Sequence, residues 1–246
     1  MRFFLLFAFF TCGIAHAQTI LNSESLLNQP SSKIKTQINL SLNWESGNEN
    51  TFTSFNQILI GTKKKRQLWR LIVGHDYEDD EGKIVANDWS AQLRLNYFVS
   101  NNNSIYGFIQ TQNIKVLQMN HRKLVGGGYR HSLYSNESQY FDISAGLFFE
   151  DEEYPKLQFK KFRFNINGFV RLKLYDNLFF NCVTYLQINI EDSNDIRLFV
   201  EPKINFKKEK FALSIGAQNR YNSTPYLQNK KNDLLSRIAL RINLFE

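Results

Sequence analysis

The sequence predicts an all-β chain folded as a single antiparallel transmembrane β-barrel of about 12 strands, preceded by a signal peptide. Three observations carry that expectation. Apolar and polar residues alternate through most of the chain, and a period of two puts one set on each face of a strand. Beyond the N-terminus no apolar run is long enough for an ordinary membrane-spanning helix. The alternating segments are about a dozen residues long, where globular strands run to about 5–6, so they can cross a bilayer at a tilt.

The N-terminus reads as an export signal. Arg2 supplies the positive start, Phe3 to Phe10 is unbroken apolar sequence, and Ala15-His16-Ala17 is an A-x-A cleavage site. Residues 1–17 are therefore expected to be removed, leaving a short polar leader at 18–32 and a barrel at 33–246. A lipoprotein cut before Cys12 is the weaker alternative, because Phe10-Thr11 is a poor approach to a lipidated cysteine. Removal of the signal leaves Cys182 alone, so no internal disulfide can form. Cys182 falls on the apolar face of a predicted strand, where a thiol acts as a small hydrophobe.

The first strand is the clearest. Ile34, Thr36, Ile38, Leu40, Leu42 and Trp44 share one face, and Lys35, Gln37, Asn39, Ser41, Asn43 and Glu45 the other. Further on, Trp69, Leu71, Val73 and Tyr77 oppose Arg70, Gly74 and Asp76. Trp89 to Val99 opposes a set from Asp88 to Asn96 that includes Arg94. Phe141 to Phe149 opposes Tyr140, Asp142, Ser144 and Gly146, and Phe162 to Leu174 opposes Arg163 and Arg171 among others. Ile196 to Phe206 opposes Arg197, Glu201 and Lys203, and Ile238 to Leu244 opposes Arg237, Arg241 and Asn243. Weaker strands near 51–61, 104–112, 122–133, 178–190 and 210–218 complete a set of about twelve.

Connections are expected to alternate between short turns and longer loops, as in outer-membrane barrels. The short ones lie near Lys63–Lys65, Asn101–Asn103, Ser135–Glu137, Asp176-Asn177 and Lys207-Lys208. The longer ones lie at 78–83, 113–121, 150–156, 191–194 and 219–232, with the short 46–50 on the same side as an exception. Glu78–Glu81, Glu150–Glu153 and Glu191-Asp192 would make three of those outer loops acidic.

A soluble periplasmic β-protein also alternates. Lipid is favoured by strand length and by aromatics toward strand ends: Trp44, Tyr77, Trp89 and Phe149 at one edge, and Trp69, Tyr97, Phe141, Phe206 and Phe211 at the other. The polar face also carries mid-strand charges, which fit a wet lumen and would cost roughly 2–4 kcal/mol each if they faced lipid. At the C-terminus Phe245 is penultimate and has polar-face parity, while Leu244 has the apolar parity.

Several stretches carry a family resemblance: Ser46-Gly47-Asn48 with Thr51 and Thr53, Asp88-Trp89 leading through Arg94 to Tyr97-Phe98, Gly126-Gly127-Gly128-Tyr129-Arg130, and Ala145-Gly146-Leu147. Over residues 33–245 the chain resembles the salt-induced outer membrane proteins, domain of unknown function 481. The resemblance implies an outer-membrane β-barrel and supplies no reaction and no catalytic residues.

The net charge of +7 is spread along strands and turns without a basic stripe, so nucleic acid is not an expected partner. His75, His121 and His131 lack metal-ligand spacing, and no cofactor is expected. His131-Ser132 with Asn136 invites comparison with outer-membrane lipid hydrolases, but adjacent strand residues face opposite sides and cannot easily pair. Asp76, Glu78 and Asp80 before Gly82 lack the remaining ligands of a calcium loop, so a solvated loop is preferred over divalent-cation binding beside lipopolysaccharide. Gly126-Gly127-Gly128 fails the context of a phosphate cradle and reads as close packing within a strand.

The main functional candidates face the lumen: Arg70, Arg94, Arg130, Arg163, Arg171 and Arg197, with Asp88, Asp142 and Glu201, and Asp76 nearby. If their pairs fill the lumen, the protein is a structural, envelope-maintaining barrel in the bacterial outer membrane. If they leave water, it is a narrow small-solute pore with a weak anion preference. A lipid-modifying enzyme ranks third. Expected partners are outer-membrane lipid, lipopolysaccharide, the barrel-assembly machinery and possible small solutes.

Overall fold

The computed structural model describes residues 34–46, 50–226 and 229–244. The expected signal peptide, leader and terminal Phe245-Glu246 lie outside the described residues. The strands are β1 (Lys35–Glu45), β2 (Thr51–Lys64), β3 (Gln67–Asp80), β4 (Lys83–Phe98), β5 (Asn103–Ile114), β6 (Met119–Ser135), β7 (Tyr140–Glu153), β8 (Gln158–Tyr175), β9 (Leu178–Asn189), β10 (Ile196–Lys208), β11 (Phe211–Asn222) and β12 (Asn232–Leu244). Each pairs antiparallel with its sequence neighbours, and β1 pairs with β12, so the sheet closes into a twelve-stranded transmembrane barrel. Closure satisfies the backbone without water, which is what a membrane-spanning sheet needs.

The two faces follow the sequence alternation. On β3, Leu68, Arg70, Ile72 and Gly74 are buried, while Trp69, Leu71 and Val73 are exposed. The exposed set forms the outer face of the barrel and the buried set lines the lumen. Trp44, Trp89, Trp69, Tyr97, Phe141, Phe206 and Phe211 are all exposed on the outer face. Leu59 and Ile72 also point inward and pack on each other across β2 and β3.

The connections differ from the expected short-and-long alternation. Glu81-Gly82 is a two-residue hairpin turn, both residues at positive φ (50° and 78°), the geometry for which glycine suits the second position. Glu78, Asp79 and Asp80 therefore belong to β3, and Glu150 to Glu153 belong to β7 rather than to an acidic loop. The 113–121 loop shrinks to one 3-10 turn at Lys115–Leu117, followed by Gln118 in the left-handed region (φ 56°). Loops of more than four residues occur only on the far side, opposite the mouth where β1 begins and β12 ends. That mouth is the near mouth, and the opposite one the far mouth.

The glycine run on β6 marks the tightest strand contact. A Cβ at Gly126 would collide with Phe148 Cβ, and one at Gly128 with the Ala145 carbonyl oxygen. The Tyr106 hydroxyl fills the lumen space over Gly128 and Gly146, 2.7 Å from where either Cβ would stand. Arg94 then stacks on Tyr106, 4.1 Å from the ring centre. Small residues thus let an aromatic ring lie flat on the wall and carry a cation above it.

The ring closes unevenly. β1 and β2 share eleven register pairs, and β11 and β12 share eleven, but β1 and β12 share only the five from Thr36↔Leu244 to Leu40↔Leu240.

Gly128→Val is expected to cost about 1–3 kcal/mol through overpacking against Ala145 and Tyr106. Gly168→Ala, which meets nothing within 4 Å, is expected to be neutral. Urea titration of the barrel refolded in lipid measures both.

Candidate functional site

The barrel gathers its polar face in the lumen, so the chemistry of the lumen is the candidate site. Of the sequence-derived candidates, Arg70, Arg94, Arg130, Arg163, Arg197, Asp142 and Glu201 are buried inside, and Arg171 and Asp88 are half-buried. They do not form one constellation. Arg130 donates to Asp142 through Nε (2.9 Å) and Nη2 (2.6 Å) and stacks on Phe169, 4.2 Å from the ring centre. Arg70 donates to Asn96 Oδ1 at 2.5 Å, and Arg94 reaches the same oxygen at 3.4 Å, so a neutral amide separates two guanidiniums that register places opposite each other. Arg171 stacks on Phe179 at 4.5 Å. Asp88 accepts the Lys115 backbone N–H at 2.7 Å and holds the 3-10 turn.

The strongest cluster lies toward the far mouth. Glu150 Oε1 accepts from Arg122 Nε at 2.6 Å and Arg197 Nη1 at 2.7 Å, and Oε2 accepts from Arg163 Nε at 2.6 Å. Glu152 accepts from both ends of the Arg197 fork at 2.8 and 3.0 Å. Asp195, in the loop before β10, takes Arg163 Nη2 at 2.9 Å and Lys161 Nζ at 2.7 Å. Three carboxylates thus offset three arginines and a lysine where water has little access. Sequence reading missed Arg122, Glu150, Glu152 and Asp195 because it placed them in or beside loops. Parity was the available signal: Glu150 and Glu152 continue the inward series of Asp142, Ser144 and Gly146.

The network also ties down the far-mouth loops. Thr224 Oγ1 donates to Asp195 at 2.9 Å, and Tyr226 stacks on Tyr154 with ring centres 4.1 Å apart. Tyr154 packs with Ile114, Leu117 and Met119 into an apolar cap. Burial, reinforced by neighbouring Glu152, raises the Tyr154 hydroxyl pKa, so it stays a neutral part of that cap. Burial alone would raise Asp195, but the Lys161 ammonium and the Arg163 guanidinium outweigh it and hold the carboxyl below its usual range.

A second region is wet. Inward side chains from β3 to β10 are mostly buried, yet Gly216, Gln218 and Arg220 on β11, Arg237, Ala239 and Arg241 on β12, Asn39 and Ser41 on β1, and Phe55 and Gln57 on β2 are half-buried. They border a cavity of about 120 Å³, room for several waters. Its charges are Lys203, Arg220, Arg237 and Arg241 against Asp76 and Glu201, four cations to two carboxylates. Lys203 bonds Glu201 at 2.8 Å, and Arg241 Nε donates to Asn39 at 3.0 Å. Arg237 reaches across β1 to the Phe55 ring, 3.7 Å from its centre, and its buried Nε has no hydrogen-bond partner among the described residues.

His131 and Ser132 both lie in β6 and make separate bonds, His131 Nδ1 with Asn103 Oδ1 at 2.7 Å and Ser132 Oγ to the Tyr134 carbonyl. The two side chains are not brought together.

Glu150→Gln leaves three buried guanidiniums short of charge, and a loss of about 3–5 kcal/mol is expected in lipid refolding titrations. Asp195, with its lowered pKa, contributes stability above the ordinary carboxylate range and loses it as pH falls through the folded value. Protection of the amides in residues 190–195, relative to free-chain exchange at the same pH, is therefore expected to fall in acid, and Asp195→Asn is expected to remove that acid dependence.

The fold is similar to the translocator domain of the autotransporter NalP from Neisseria meningitidis, with a TM-score of 0.52 and 10% identity, over 90% of this chain and 92% of that one. It is also similar to the NanC porin, with a TM-score of 0.50 and 8% identity, over 85% of this chain and 97% of NanC. At these identities the likeness concerns the fold alone. No curated protein matches the sequence. Residues 38–243 match the family described as protein of unknown function, DUF481, and the chain belongs to that family.

Proposed function

We propose that the protein is an outer-membrane barrel that passes small solutes along one wet wall of an otherwise packed lumen. The observation that carries this reading is the partition of the lumen. Inward residues of β3 to β10 are mostly withdrawn from water, while Gln218, Arg220, Arg237, Arg241, Ser41 and Gln57 are half-buried at the cavity, with Gln37, Leu59 and Ala212 buried outside it and Asp76, Ser90, Glu201 and Lys203 on its other side. Twelve strands fall between filled eight-stranded barrels and the wide channels of sixteen or more, so a narrow path is the expected compromise. A closed twelve-stranded barrel with a fold like that of the NanC porin supports an outer-membrane location. The near mouth, with the short turns, would then face the periplasm.

A structural role is the second reading, favoured by the Glu150 network and the aromatic cap, which brace the far mouth from β5 to β11. Planar-bilayer recording separates the two. Small, steady conductance steps, well below those of sixteen-stranded porins, are the expected result, and a silent barrel would favour the structural role. With four cations against two carboxylates at the cavity, a salt gradient is expected to give an anion-selective reversal potential. The double change Arg237→Glu and Arg241→Glu is expected to reverse its sign.

A further inference from the structure

The β1–β12 seam is unzipped over its far half. The ladder ends at Leu40↔Leu240, beyond which Ser41–Glu45 pair only with β2, and Asn232–Ala239 only with β11. Beside the gap Leu42 is 70% exposed and Ile238 63%, against 43% for Ile58 on β2 and 55% for Ile215 on β11, although Leu234 is 42% exposed. A side-chain bond bridges the gap, from Ser41 Oγ to the Ile238 carbonyl at 2.6 Å. Unpaired backbone at hydrocarbon depth is tolerated where it lines a water-filled cavity. The cavity is there: Ser41 and Ala239 line it, and so does Leu40, whose side chain has lipid-facing parity.

The charge beside the gap is cationic. Arg241 lies at the last paired rungs, opposite Asn39, and Arg237 lies on β12 beyond them, where the seam is open. Arg237 borders the cavity over the Phe55 ring, its buried Nε has no hydrogen-bond partner among the described residues, and Asp76 and Glu201 are the carboxylates near it. Arg220 and Lys203 complete the cationic wall. A small free anion needs the cations but no gap in the wall. A neutral lipid needs the gap but no cations. An anionic amphiphile uses both.

We propose that the open half of the β1–β12 seam is a lateral portal for an anionic amphiphile, with its head among Arg220, Arg237, Arg241 and Lys203 and its acyl chain leaving through the seam into the membrane. The proposal rests on the wet cationic wall of the preceding reading and is independent of whether that wall conducts. A cavity of about 120 Å³ has room for a carboxylate or a phosphate group. A fatty acid and an anionic phospholipid share that chemistry.

The test is native mass spectrometry of the full barrel in neutral detergent with laurate, lysophosphatidylglycerol or dodecanol. One laurate or one lysophosphatidylglycerol is expected to remain bound, and dodecanol is not. Which of the two anions is held distinguishes a free carboxylate from a phospholipid headgroup, and either supports the portal. Arg237→Gln is expected to weaken retention about tenfold. In a Cys182→Ser background, a disulfide between Ser41→Cys and Ala239→Cys is expected to abolish retention, and reduction is expected to restore it. Equal retention of dodecanol, undiminished retention in the cross-linked barrel, or no retention of either anion would overturn the proposal. A barrel that holds laurate yet never conducts would sink the pore reading and leave the portal standing.

Discussion

Inside a bilayer a strand has no water to bond to, so each edge must meet another strand. Every other feature of this chain follows from that constraint. Twelve strands form a ring because a ring has no edges. The ring imposes a period of two, because each side chain must face either lipid or lumen. The lumen then collects what lipid rejects, so arginines, carboxylates and amides are brought together from distant parts of the sequence. Arg122 and Arg197 meet on Glu150 because β6 to β10 are curved toward one another, although register alone pairs only neighbouring strands. The same constraint gives the short β1–β12 ladder its interest, since an unsatisfied stretch of seam in a membrane wall calls for a partner.

Charge is distributed differently on the two sides of the lumen, and the difference decides what each side can do. Around Glu150 the carboxylates nearly balance the guanidiniums, all at hydrogen-bonding distance and shielded from water. Such a cluster is rigid: loss of one partner strands the others, and exchange with a solute would require several bonds to break together. Along β11, β12 and β1 the cations outnumber the carboxylates and remain within reach of water. Arg237 rests on a ring, with Asp76 and Glu201 as the carboxylates near it. Structural support and solute contact are thus separated within one lumen.

Most of the fold was legible in the sequence, and much of the site was not. Alternation gave the strand number and both faces, because parity is a local property that each residue reports by itself. It failed where polarity resembled a loop. Glu78 to Asp80 and Glu150 to Glu153 read as acidic loops, yet they are strand ends, and Glu150 is the centre of the buried network. Sequence pattern also underrated the cavity: Arg220 was read as loop, while Arg237 and Arg241 were seen on the polar face without a partner to give them meaning. Pairing of charges depends on tilt and register around the ring, and neither can be read from one strand. The aromatic filling over Gly128 and Gly146 was likewise hidden, because Tyr106 lies on β5 while the glycines lie on β6 and β7. The uneven closure of β1 on β12 leaves no local trace in sequence at all.

The partition of the lumen is the claim on which the functional reading stands, and single-cysteine accessibility tests it most directly. In a Cys182→Ser background, cysteines replace Gln57 and Gln218 on the wet wall, and Ser144 and Gln187 on the packed wall. A membrane-impermeant thiol reagent is added to the barrel in lipid vesicles. Fast labelling at Gln57 and Gln218 with protection at Ser144 and Gln187 is the expected result. Equal labelling at all four positions would mean an open lumen, and protection at all four a filled one; either would contradict the division described here.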